Sequence, residues 1–162
     1  MNLMTRTVIA SVACLGLSSL LVTAAFAQTD PQVGLWKLNV AKSKYNPGPA
    51  PKSGTTRIEA AGAGAKVTVD QVMPDGSTRH WAFTGNYDGK DVPITGNNPD
   101  ADTAARTRVN ATTVRMVLKK RGKVTTTQTS AVSSDGKTRT VTTTGVSAGG
   151  QTVNNVAVYE RQ

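Results

Sequence analysis

The sequence holds one cysteine, Cys14, and one histidine, His80, in 162 residues. That scarcity excludes a disulfide scaffold and a Cys/His zinc centre, since each needs several such side chains at set spacings. A single histidine, which alternation puts on an outer strand face, also lacks the partners of a nucleophile–histidine triad. Aromatic residues make up only 4% of the chain, too few to stack on successive bases, so nucleic acid is not an expected partner. Acidic residues number 10 against 19 basic ones. Those acids offer no calcium loop and no carboxylate pair at hydrolase spacing: Asp75, Asp88 and Asp135 sit in turns, and Asp100 and Asp102 are too sparse. No metal, no cofactor and no bond chemistry are expected. What remains, 38% hydrophobic and 18% charged residues, suits one folded domain.

Met1 to Ala27 reads as a cleaved secretory signal. Arg6 supplies the positive start, Val8 to Val22 the apolar run, and Ala25-Phe26-Ala27 the small-x-small cleavage site. The run falls short of the roughly 20 apolar residues of a spanning helix, so no transmembrane segment is expected after cleavage. No Leu stands three residues before Cys14, so it reads as part of the apolar run and not as a lipid anchor. Removing 27 residues leaves 135 without a thiol, and with 18 basic residues against 10 acidic ones, a formal charge of +8. A thiol-free chain suits an oxidising, periplasmic or secreted location.

Residues 28–162 read as a single domain. Asn46 to Gly54 carries three prolines and two glycines and cannot form a regular element. Val40 to Tyr45 is the best helical stretch, though short. From Thr55 onward, runs of Val, Ile, Thr and aromatics alternate with turn residues: Pro74-Asp75-Gly76, Asp88-Gly89, Arg121-Gly122, Asp135-Gly136 and Gly149-Gly150. Strands are predicted near 33–39, 55–61, 65–73, 77–86, 90–94, 103–109, 112–119, 122–133, 137–145 and 152–161. Such a meander exposes two edges unless it closes. We therefore expect an all-β, antiparallel, up-and-down, lipocalin-like barrel of 8–10 strands.

Alternation assigns faces. Ile58 points inward between Arg57 and Glu59; Val67 and Val69 share one face; Trp81, Phe83 and Arg79 share another, opposite His80 and Ala82; Val114, Met116 and Leu118 form an inward set. The threonines between Thr125 and Thr144 lie on both faces. They serve either as β-branched strand formers or as the lining of a polar cavity, and two-sided polar strands specify register poorly.

The chain opens its first strand with Gly34-Leu35-Trp36 and closes its last with Val156-Ala157-Val158-Tyr159-Glu160-Arg161. This pairing resembles the calycins, the superfamily of lipocalins and fatty-acid-binding proteins, and the chain also resembles a group of short exported bacterial proteins. The resemblance implies a closed barrel whose end is plugged by Trp36, with Arg161 packed over the indole. A cation over an indole contributes about 0.5–2 kcal/mol. The arginine that grips a carboxylate in the fatty-acid-binding branch corresponds to Ala157 here, so the resemblance implies the barrel and no particular ligand.

Arg79, Trp81 and Phe83 make the best pocket candidate, an aromatic wall beside a cation, although plain barrel core explains them too. Arg106 and Arg108 share a face, with Arg79 and Arg139 on other strands, and could grip an anion near an opening. Met116, Gln128 and Tyr159 complete the expected wall. Lys119 to Lys123 reads as a solvated hairpin tip, and Asn110-Ala111-Thr112 as either a glycosylation sequon or a turn. Two functions follow as expectations. One is an exported barrel holding a small amphipathic or anionic molecule. The other is a filled barrel whose basic surface associates with anionic envelope polymers.

Overall fold

The computed structural model describes residues 30–162; the expected export signal lies outside them. Short turns cut the chain into strands. Gly76 N–H donates to Met73 O at 3.0 Å while Asp75 Oδ1 accepts from Ser77 N–H at 2.9 Å. The same device recurs where Gly136 N–H donates to Ser133 O at 2.9 Å and Asp135 Oδ1 accepts from Lys137 N–H at 3.0 Å. The carboxylate folds back on its own turn, which is why Asp precedes Gly at both tips.

Between the turns run β1 (Gly34–Lys44), β2 (Ser53–Ala61), β3 (Gly64–Val72), β4 (Thr78–Asn86), β5 (Asp88–Pro93), β6 (Thr95–Gly96), β7 (Thr103–Arg108), β8 (Thr113–Lys120), β9 (Lys123–Val132), β10 (Thr138–Val146) and β11 (Thr152–Arg161). They form one antiparallel sheet in the order β5-β7-β8-β9-β10-β11-β1-β2-β3-β4-β6. The protein is an all-β meander rolled into a nearly closed barrel. The ten expected strands are present, and the eleventh is the two-residue β6, whose backbone pairs with Trp81 and Ala82 of β4.

Side chains of one parity fill the interior. Trp36, Ile58, Val67, Val69, Trp81, Phe83, Leu118, Val141 and Tyr159 are buried together, and Val114 is buried too, while Arg57, Glu59 and Arg115 face out. The first and last strands zip side by side, with Trp36 opposite Arg161 and Leu38 opposite Tyr159. The Arg161 guanidinium carbon lies 4.2 Å from the centre of the Trp36 ring. It also donates from Nε to Gly136 O at 2.7 Å, from Nη1 to Val33 O at 2.6 Å and from Nη2 to Pro31 O at 2.8 Å. One side chain thus ties the N-terminal lead-in, the β9–β10 turn and the plug into a floor. Gly34 makes room for it: its φ is 145°, and a Cβ there would collide with Arg161 Nη1.

Two expectations need correction. Val40 to Tyr45 is not helical. β1 continues to Lys44 across an irregularity in its register with β11 between Asn39 and Lys44. Asn39 Oδ1 accepts from Lys42 N–H at 3.0 Å and Asn39 O from Ser43 Oγ at 2.7 Å, a local loop-back that mimics a helical turn. Ser43 Oγ then accepts from Val158 N–H at 2.9 Å, which returns the chain to the sheet. The closure also differs from a continuous meander. β4 and β5 are consecutive but not paired: β4 pairs with β6, and β5 with β7. The seam is packed by side chains, with Val92 seated over the bare backbone of Gly85.

The threonine-rich β10 holds continuous register despite its two-sided polarity, while β9 shifts against β8 at Thr125. β10 pairs continuously with β11 from Thr138–Glu160 to Val146–Thr152. Capped turns at both ends of β10 fix the alignment that the face pattern leaves open.

Candidate functional site

Inside the barrel is a cavity of about 440 Å³. Its mouth is ringed by Pro47, Gly48 and Pro49 of the β1–β2 loop, Met73 and Pro74 of the β3–β4 turn, Asn98 and Asp100 before β7, and Ser147 and Gln151 of the β10–β11 turn. Val67, Val69, Trp81, Leu118 and Val141 make the apolar wall. Thr56, Thr126, Gln128, Thr143, Arg139 and Tyr159 make a polar one, so hydroxyls of the Thr-rich strands do line it. An apolar wall with a few convergent polar groups is the composition of a small-molecule site.

Of the residues singled out by sequence, Arg79, Trp81, Met116, Gln128 and Tyr159 line this cavity. Phe83 does not: it lies behind Trp81, ring centroids 6.1 Å apart and planes 13° from parallel, and supports it from the core. Arg106 is buried below and borders a smaller void together with Met116, Gln128 and Arg139. Arg108 stands at the closed end and not near an opening, because β7 runs from the mouth toward the floor. Its Nη2 meets Asp30 Oδ2 at 2.6 Å, and its guanidinium carbon lies 4.0 Å from the Tyr87 ring centre. Trp36 and Arg161 form the floor described above. His80 is exposed on the outer face, Nδ1 2.6 Å from Asp70 Oδ1.

The residue that sequence reading undervalued is Arg139. Only 8% of it is exposed, and its guanidinium carbon lies 5.6 Å from the centre of the Tyr159 ring. Its Nε donates to Ser130 Oγ at 2.7 Å and to Gln32 Oε1 at 3.2 Å. Both bonds run through Nε, so among the described residues Nη1 and Nη2 carry no committed partner. Burial pulls its pKa down to about 10, partly offset by Tyr159, and the groups acting on it include no carboxylate. A guanidinium still stays charged at neutral pH. The signal was faint but present: Arg139 shares parity with Val141, whose apolar side chain belongs inside.

Gln32 organises the ground beneath it. This residue is fully buried, donating from Nε2 to Thr112 O at 2.8 Å and to Ser130 O at 3.1 Å. Its Oε1 accepts from Ser130 Oγ at 2.9 Å, and its backbone carbonyl from Trp36 Nε1 at 2.9 Å. Beside it, Asp30 accepts from Tyr87 Oη and from Arg108. Burial would raise the Asp30 pKa, but the bonds from Arg108 and Tyr87 outweigh it and hold the carboxyl below its usual range. Burial, with Asp30 nearby, pushes the Tyr87 phenol up.

Among the described residues no three His, Cys, Asp or Glu side chains gather closely enough to hold a metal ion, and no helix is long and apolar enough to cross a membrane. No protein-family model matches the chain, and the search of curated proteins finds no match.

Proposed function

We propose that this is an exported, calycin-like binding protein that holds a small amphipathic or anionic molecule and performs no bond chemistry on it. The observation that carries this reading is Arg139, a buried cation without a carboxylate partner at the inner wall of a 440 Å³ cavity. Burying a charge is costly unless something pairs with it. A ligand carboxylate, sulfonate or phosphate near Arg139, hydrogen-bonded by neighbours such as Thr126, Gln128 and Tyr159, meets that need. Its apolar part then lies along Val67, Val69 and Trp81 toward the proline-rich mouth. The cavity's volume favours this reading over a filled barrel acting only through its basic surface.

Native mass spectrometry of the protein purified from its own host tests it. A copurified small molecule, lost on Trp81→Ala, is the expected result. A bare mass under gentle ionisation overturns the reading.

A further inference from the structure

Below the large cavity lies a second void of about 20 Å³, walled by Arg106, Arg139, Gln128, Ser130 and three apolar side chains. Such a space admits one occupant of about the size of a water molecule. Arg106 is only 4% exposed, and its Nη1 is buried with no hydrogen-bond partner. Its Nη2 reaches Tyr87 Oη at 3.3 Å, and its guanidinium carbon lies 4.4 Å from the Tyr87 ring centre. Both contacts are to a neutral phenol.

The nearest carboxylate is already engaged, since Asp30 bonds Arg108 and Tyr87. Two guanidinium groups therefore border one small void, and the single local acid serves a third. Buried donors are rarely left unpaired, and buried cations more rarely still. A water molecule would satisfy the Nη1 donor but leave both charges uncompensated. An anion of the same size satisfies both demands.

We propose that this void is a binding site for a monatomic halide anion, chloride in ordinary salt, held between Arg106 Nη1 and Arg139. The site goes beyond the reading of the large cavity and does not depend on a ligand there. Access runs through that cavity, with which the void shares Val67, Met116, Gln128 and Arg139. The anion neutralises one of the two facing charges and so fixes Arg106 against Tyr87.

Thermal unfolding of the halide-free protein in sodium chloride and in sodium gluconate, at equal ionic strength, tests the proposal. Gluconate is far too large for the void. Chloride is expected to raise the melting temperature along a saturating curve, by about 3 °C or more at the plateau. Arg106→Met is expected to lose that difference. Should the variant not fold, the wild-type protein crystallised in bromide decides, by anomalous scattering in contact with both guanidinium groups. Coincident melts in the two salts, or bromide found only elsewhere, overturn the proposal.

Discussion

Trp36 and Arg161 face each other across the β1–β11 ladder, the guanidinium carbon 4.2 Å from the ring centre, and between them they join the two ends of the barrel. The contact is more than a stacked pair, because the same guanidinium donates to three backbone carbonyls, two in the N-terminal lead-in and one in the β9–β10 turn.

Gly34→Ala therefore forces a Cβ into Arg161 Nη1 at a φ that alanine resists, and is expected to cost about 2–3 kcal/mol. Arg161→Ala removes the cation–π contact and the three bonds, and is expected to cost about 2–4 kcal/mol. Urea unfolding followed by tryptophan fluorescence measures both. A loss below about 0.5 kcal/mol in either variant contradicts the account of the floor.

Arg139→Met separates stability from binding. The arginine's folded pKa is pulled down to about 10, so its charged form is penalised by folding. For a base, that penalty is complete at neutral pH and fades only as pH rises through the folded value. Methionine removes the charge, while Ser130 Oγ keeps its own bond to Gln32. The variant is expected to melt at or above the wild-type temperature. Its affinity for an amphipathic anion such as anilinonaphthalene sulfonate is expected to fall about 10- to 150-fold, the equivalent of one charged hydrogen bond. Fluorescence titration beside a thermal melt reads both quantities.

Gln32→Ala strips the fully buried amide from a network in which its oxygen and nitrogen each make two bonds. The Thr112 carbonyl keeps only Val132 N–H, the Ser130 carbonyl loses this donor, and Arg139 Nε keeps only Ser130 Oγ. The expected cost is about 2–4 kcal/mol, larger than for an exposed glutamine, because the partners stay buried. Chemical denaturation of the two proteins side by side measures it.

Asp30 contributes to the acid limb of stability as the partly buried member of a set of lowered carboxyls that includes the exposed Asp75, Asp135 and Glu160. Its carboxyl titrates below the usual 3.8 because the bonds from Arg108 and Tyr87 outweigh burial. For an acid with a depressed folded pKa, the contribution is present above the unfolded value and is lost as pH falls through the folded one. Wild-type stability is expected to drop below about pH 4. Asp30→Asn is expected to be about 1–3 kcal/mol less stable at pH 7 and to show a flatter profile below pH 4. Parallel profiles for the two proteins would remove Asp30 from the acid response.

Much of the barrel was legible because its turns carry their own chemistry and its faces alternate cleanly. Trp81 and Phe83 with His80 opposite, or Val114 and Leu118 with Arg115 opposite, fix both a strand and its inner side. Alternation gives a side chain's face but not its depth. Parity puts Arg108 on an inner strand face but not at its closed end, and Phe83 on the inner face but not behind Trp81. Arg139 was obscured by the threonines around it, since hydroxyls on both faces erase the apolar pattern that marks an interior position. The β1 irregularity at Asn39 and the two-residue β6 escape for a different reason: each rests on a few local hydrogen bonds, and neither spans enough residues to show a period.

The seam between β4 and β5 gives the wall a slit. Elsewhere, parting neighbouring strands tears a ladder of amide bonds; here β4 is held only by the short β6 at Trp81 and Ala82, and beyond it packing such as that of Val92 on Gly85 must yield. If the proposed guest binds, swelling of the lumen around it is expected to be cheapest along this line. Deuterium uptake at β5 amides, compared between empty and loaded protein, would trace that breathing directly.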